Sequence, residues 1–263
     1  MPRLFSSGKK IVIGVVHLAP LPGAPRFAGD IEQVIQRALS DARAYAQGGA
    51  DALCIENFGD IPFTRGRVGP ETVAAMSAAG RAIRAAVRLP TGFNVLRNDP
   101  LAGLALCAAC RGGFVRVNVH CGAMITDQGI IEGNAFETLR YRRRICPEAL
   151  ILADVHVKHA VPVGDMPLEI AARDTVERGL ADALIVSGTG TGASADVTEV
   201  KRVRQACPKA KILIGSGITV ENVWRYLDDA DGVIVGTSVK RGGKVENPVD
   251  PRRVAQLVRR MKP

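Results

Sequence analysis

Eight times along the chain, a short apolar run is followed by a stretch with helical periodicity, at a spacing of roughly 25 to 35 residues. Strands are expected at 11–16, 52–56, 91–95, 114–119, 150–155, 183–186, 211–214 and 232–235. Helices are expected at 30–47, 70–86, 100–110, 135–145, 168–177, 197–206, 220–227 and 251–261. In the first helix Ile31, Val34, Ile35, Ala38 and Leu39 share one face behind Asp30, a plausible cap. Pro70 suits a first helical position, where the missing N–H would have been unpaired anyway. Glycines close several helices just before the next strand, as in the Gly48-Gly49-Ala50-Asp51-Ala52 segment. No linker interrupts the rhythm, so one (β/α)8 TIM barrel over 1–263, with a short N-terminal extension over 1–10, accounts for it better than an open doubly wound sheet.

Composition agrees with such a core. Hydrophobic residues make up 47% of the 263 and aromatics only 4%, so Val, Ile, Leu and Ala must fill the interior. The formal net charge of +9 raises nucleic-acid binding, but the basic residues are spread over several expected helices, and no nucleic-acid partner is expected. The clusters at Arg140–Arg144 and at Arg252, Arg253, Arg259 and Arg260 read as a solvated helical rim. The Cys107–Cys110 spacing matches a redox motif but falls in an apolar helical run, and the six cysteines read as buried thiols of a cytoplasmic protein. There is no apolar stretch long enough for a membrane span and no leader pattern at the N-terminus.

In a parallel barrel the downstream strand ends converge on one face, where barrels of this kind build their sites. Polar residues collect there: His17; Glu56 and Asn57; Asn94 and Arg97; Arg116, Asn118 and His120; Asp154, His156 and Lys158. Period-two alternation puts Asp154, His156 and Lys158 on one side if the strand stays extended, and likewise Arg116, Asn118 and His120. Such a group could move protons on a carbonyl or sugar substrate, with Asp154, His156, Lys158, Glu56 and His120 as the catalytic candidates. His17, Asn57, Asn94, Arg97, Arg116, Asn118 and Asp127 would bind substrate. Glu56, Asp154 and His156 could alternatively hold a divalent metal.

A second constellation is glycine-rich. Ser187 and Gly188 follow the sixth strand, Gly215, Ser216 and Gly217 the seventh, and Gly236, Thr237 and Ser238 the eighth. Small residues let backbone N–H groups approach an anion, and barrels commonly hold a substrate phosphate at the last two of these exits. Lys240 could add charge or face solvent. The loops at 18–27, 58–63 and 126–133, with Phe27, Phe58, Phe63, Asp127 and Glu132, could cover the pocket. Neither a nucleophile elbow, a Walker loop nor a dinucleotide fingerprint is present.

Several segments carry a family resemblance: Val16–Gly23, Glu56–Phe63, Gly92–Asp99, Arg116–His120, Asp127–Gly129, Ala153–His159 and Val235–Ser238. Together they resemble the BtpA family, which includes SgcQ-like proteins. The resemblance implies a barrel of the phosphate-binding type, and its name implies a role in photosystem I biogenesis in cyanobacteria. The expectation is an enzyme acting on a small phosphorylated metabolite, a sugar phosphate or nucleoside-derived phosphate, by lyase, isomerase or glycosyl/phosphoribosyl-transfer chemistry. The alternative is a non-catalytic assembly factor acting through protein contacts. Cofactors stay open beyond the possible metal, and a homo-oligomer is possible.

Overall fold

The computed structural model describes residues 4–5 and 8–262. Part of the expected N-terminal extension, residues 1–3, 6 and 7, lies outside the described residues, as does Pro263. Eight parallel strands close a barrel: β1 (Ile11–His17), β2 (Ala52–Glu56), β3 (Thr91–Asn94), β4 (Phe114–Val117), β7 (Leu150–Val155), β9 (Ala183–Ser187), β10 (Lys211–Gly215) and β11 (Gly232–Val235). They neighbour one another in chain order, and β11 returns to pair with β1 through Ile11↔Gly232 to Gly14↔Val235. Outside them run α1 (Ile31–Gln47), α2 (Pro70–Ala86), α3 (Pro100–Cys110), α4 (Ala135–Ile145), α5 (Leu168–Arg173), α6 (Val197–Ala206) and α7 (Pro251–Met261). No helix among the described residues is long and apolar enough to cross a membrane.

Each strand divides its residues between two cores. One parity points inward: Ile11, Ile13 and Val15 with Ala52, Cys54, Phe114, Leu152, Ile185, Leu213 and Ile234 form the barrel interior. The other parity, including Val12, Val16, Leu53 and Ile55, packs under the helices. Gly92 makes room for the fully buried Phe114: a Cβ there would stand 2.3 Å from its ring. Asp30 caps α1 by accepting from the Gln33 N–H at 3.1 Å, and Gly49, at φ 84°, turns the chain out of it.

Three departures from the expected elements have local causes. The stretch 220–227 contains only a short 3₁₀ turn, Val223–Tyr226. The Asn222 side chain accepts from the Thr219 N–H at 2.8 Å and donates to the Gly217 carbonyl at 2.8 Å, competing with the backbone bonds of a helix start. The fifth helix ends at Arg173 and continues as a π turn over Asp174–Arg178. The long loop after β4 holds a hairpin, β5 (Ala123–Thr126) and β6 (Gly129–Glu132), which β8 (Ala160–Pro162) extends to a three-stranded antiparallel sheet beside the barrel mouth.

Candidate active site at the barrel mouth

The inward parity of each strand ends in one last residue, and these eight form a layer across the mouth: His17, Glu56, Asn94, Arg116, Asp154, Ser187, Gly215 and Gly236. Six carry polar side chains. Gly215 ends β10 and Gly236 directly follows β11, so on that flank the layer lacks two side chains. A cavity of about 350 Å³ opens there, large enough for about a dozen water volumes. Its floor and far wall include His17, Glu56, Arg116 and Lys158. Its lip includes Ser216, Gly217, Gly236, Thr237, Ser238 and Arg253, with the Glu221 carboxylate on the same side.

The polar layer is bonded internally. Arg116 donates from Nε to Asp154 Oδ2 and from Nη2 to Asp154 Oδ1, both at 2.8 Å, and Ser187 Oγ donates to Asp154 Oδ1 at 3.1 Å. Burial opposes the charge on Arg116, but Asp154 outweighs it and raises the guanidinium pKa above its ordinary value. Asn94 Nδ2 donates to the Arg116 carbonyl at 3.1 Å and to Asn118 Oδ1 at 2.8 Å. His17 Nε2 lies 3.4 Å from Glu56 Oε2, and its ring packs on Phe58 at a centroid distance of 4.6 Å. Burial, reinforced by the charges of Lys240, Lys158 and Arg116, pushes His17 well below the usual imidazole range, so it is neutral near pH 7. Burial also lowers the Lys158 amine, against the pull of Glu56.

The expected residues divide into three sets. His17, Glu56, Arg116 and Lys158 line the cavity together, and Ser216, Gly217, Gly236, Thr237 and Ser238 form its lip. Asp154, Asn94, Asn118, Asn57, Arg97, Ser187 and Gly215 stand behind or beside it as supports. Asn57 accepts from the Leu96 N–H at 2.7 Å, Arg97 donates to the Lys158 carbonyl at 2.6 Å, and the bare Gly215 leaves space for Ser187 Oγ. Gly188 packs against the Ala193 carbonyl and faces a separate groove with Asp127, which is exposed on the hairpin turn. Glu132 is likewise exposed on β6.

Two histidines leave the group. The strand does not stay extended past Val155: His156 takes φ 50°, which breaks the alternation, and it lines a separate pocket with Met166, Ala171 and Asp174 and not the main cavity. β4 ends at Val117, and His120 bonds through Nε2 to the Gly179 carbonyl at 2.8 Å, behind the barrel wall. The expected metal set therefore does not assemble. Glu56 faces His17, both Asp154 oxygens are occupied by Arg116, and His156 points elsewhere. Among the described residues no three His, Cys, Asp or Glu side chains form a metal-holding group.

Two basic residues also changed places. Lys240 is fully buried rather than solvent-facing: its Nζ donates to the Val245 carbonyl at 2.8 Å and lies 3.7 Å from Asp41 Oδ2. Arg253, counted with the solvated rim, instead lines the cavity lip, with Nε donating to the Ser238 carbonyl at 3.0 Å. Its position is readable only once α7 is seen to start beside the β11 exit. At the other half of the lip, Ser216 and Gly217 are both left-handed, at φ 70° and 61°. For a serine that conformation costs on the order of 1–3 kcal/mol, a cost found most often at functional sites.

Fold and site together define a (β/α)8-barrel protein with a ligand-sized polar cavity at the C-terminal ends of its strands. The chain belongs to the BtpA family, whose model matches residues 8–263. It is 45% identical over 250 residues to the "Photosystem I biogenesis protein BtpA" of Synechocystis, covering 95% of this chain and 87% of that protein. An uncharacterized protein of Thermococcus kodakarensis is 47% identical over 253 residues, covering 95% of this chain and 94% of the relative. Among solved structures, the phosphoribosyl anthranilate isomerase of Thermus thermophilus superposes with a TM-score of 0.59 at 17% identity, over 95% of this chain and 98% of that one.

Proposed function

We propose that this protein is an enzyme acting on a small phosphorylated metabolite, a sugar phosphate or a nucleoside-derived phosphate, by isomerase or lyase chemistry at a carbonyl. The observation that carries this reading is the two-ended cavity. One end is a lip of small residues and Arg253, suited to a phosphate; the other holds Glu56, neutral His17 and Lys158, suited to proton transfer. Glu56 would take the proton next to the carbonyl, with His17 holding that carboxylate in place. Arg116, fixed by Asp154, and Lys158 would receive the negative charge that develops on the carbonyl oxygen. The similarity to a barrel named for a phosphoribosyl substrate supports the phosphate end.

The test is incubation with a panel of aldose, ketose and nucleoside phosphates, with products followed by mass and by solvent-deuterium incorporation. Glu56→Gln should abolish exchange while leaving phosphate binding intact. Absence of turnover and exchange across the panel, together with undetectable phosphate binding, would refute the reading.

The name of the cyanobacterial relative favours a second reading, an assembly factor acting through its exterior. Ile130, Ile125 and Val161 form an exposed cross-strand apolar row on the three-stranded sheet, which gives that reading a surface. Under it, replacing Ile125 and Val161 by Ser would remove the biological effect, and Glu56→Gln would not.

A further inference from the structure

Two lysine side chains stand deep in this part of the fold, and they differ in one respect. Lys240 has a carboxylate at 3.7 Å and a carbonyl at 2.8 Å. Lys158 lines the cavity, half-buried, and has no ion-pair or hydrogen-bond partner for its amine among the described residues. Its backbone, by contrast, is held on both sides. Its carbonyl accepts from Arg97 Nη2 at 2.6 Å, and the next residue, His159, donates its N–H to the Thr189 carbonyl at 3.0 Å. His156 and His159, both left-handed at φ 50° and 56°, bracket the residue and direct this segment across the mouth. A lysine with a fixed stem and an unpaired head, inside a cavity that also holds a carboxylate, has the surroundings of a nucleophile rather than of an ion-pair partner.

We propose that Lys158 attacks the carbonyl carbon of a phosphorylated aldehyde or ketone bound in this cavity, forming a covalent imine. The inference rests on the carbonyl-phosphate reading above and replaces the charge-stabilising role of Lys158 there with a covalent step, leaving that role to Arg116. The neutral amine forms the C–N bond while the carbonyl π pair moves to oxygen, which takes up the proton that nitrogen loses, giving a carbinolamine. Glu56, carrying the proton it took from the Lys158 ammonium to free the amine, protonates that hydroxyl and lets it leave as water, and the nitrogen lone pair closes the C=N bond as an iminium. Glu56, regenerated as a carboxylate, stands on the wall of the same cavity, where it can remove a proton from the adjacent carbon.

Pyridoxal 5′-phosphate, an aldehyde carrying a phosphate, serves as the probe. The whole protein is incubated with it, reduced with borohydride, digested and mapped by mass. The expected result is that Lys158 is labelled about tenfold or more faster than the exposed Lys201, since its amine has no partner and burial favours its neutral form. Excess inorganic phosphate should slow labelling at Lys158 and not at Lys201. Arg253→Ala should slow it too, with Lys158 still the modified residue. Lys158→Arg keeps the charge, so loss of substrate turnover in that variant supports a nucleophile, and retained turnover overturns it. The proposal is also overturned if Lys158 labels no faster than Lys201 in protein that does bind phosphate. Fast labelling of Lys158 that phosphate does not slow would support the nucleophile and instead remove the phosphate lip.

Discussion

Arg116 and Asp154 meet edge to edge, two N–H groups against two carboxylate oxygens at 2.8 Å, with both side chains almost wholly buried. The pair fixes what each can do. Asp154 is held to Arg116 through both oxygens and does not line the cavity, while Arg116 does, as a permanent cation. Removing one partner leaves the other charge buried, and the usual cost is about 3–5 kcal/mol. Asp154→Asn should therefore lower unfolding stability by roughly that amount in chemical denaturation. Arg116→Met combined with Asp154→Leu should cost less than Asp154→Asn, while losing activity.

Arg253 should contribute to anion binding and little to folding, since its guanidinium sits at the lip with one backbone acceptor, Ser238. Charged hydrogen bonds are worth about 1.5–3 kcal/mol, so Arg253→Ala should weaken inorganic phosphate binding by about 10- to 100-fold in calorimetry, with thermal unfolding nearly unchanged.

Gly236 is tested by a single methyl group. Its backbone is not left-handed, but a Cβ there would stand 2.5 Å from His17 Cε1. Gly236→Ala should displace the imidazole from Glu56 and obstruct the lip, reducing both phosphate binding and turnover. Stability should fall by about 1–3 kcal/mol, as for other overpacked sites.

The histidines set a pH dependence. Burial lowers His17, His120 and His156 below the ordinary 6.5. Below about that pH the unfolded chain binds protons that the folded chain refuses, so stability is fully present above it and is lost as pH falls through the lowered folded values. The unfolding midpoint should decline from about pH 6.5 downward, and His120→Gln, remote from the cavity, should make that decline shallower without altering phosphate binding.

The barrel was legible because its strands are buried on both faces and read as continuous apolar runs, and because the last inward residue of each, from His17 to Gly236, falls where counting by twos puts it. Counting failed only past the strand ends. His156 and His120 lie beyond Val155 and Val117, where nothing in the local sequence reports that the chain has turned. The hairpin at 123–132 was hidden by its short, mixed strands and by a third strand, 160–162, supplied from a distant segment. Lys240 and Arg253 exchanged roles because the destination of a long side chain depends on tertiary neighbours. Asp41 on α1 draws the lysine inward, and the β11 exit lies beside the start of α7.

A phosphate is expected on the glycine-flanked side of the barrel mouth, and a crystal structure of the protein soaked in inorganic phosphate would show it. The anion should be held by the backbone N–H groups around Ser216–Gly217 and Gly236–Ser238 and by the Arg253 guanidinium, and be absent from the same position in Arg253→Ala at equal concentration. An empty lip, with the anion bound only on the outer helices, would contradict this placement.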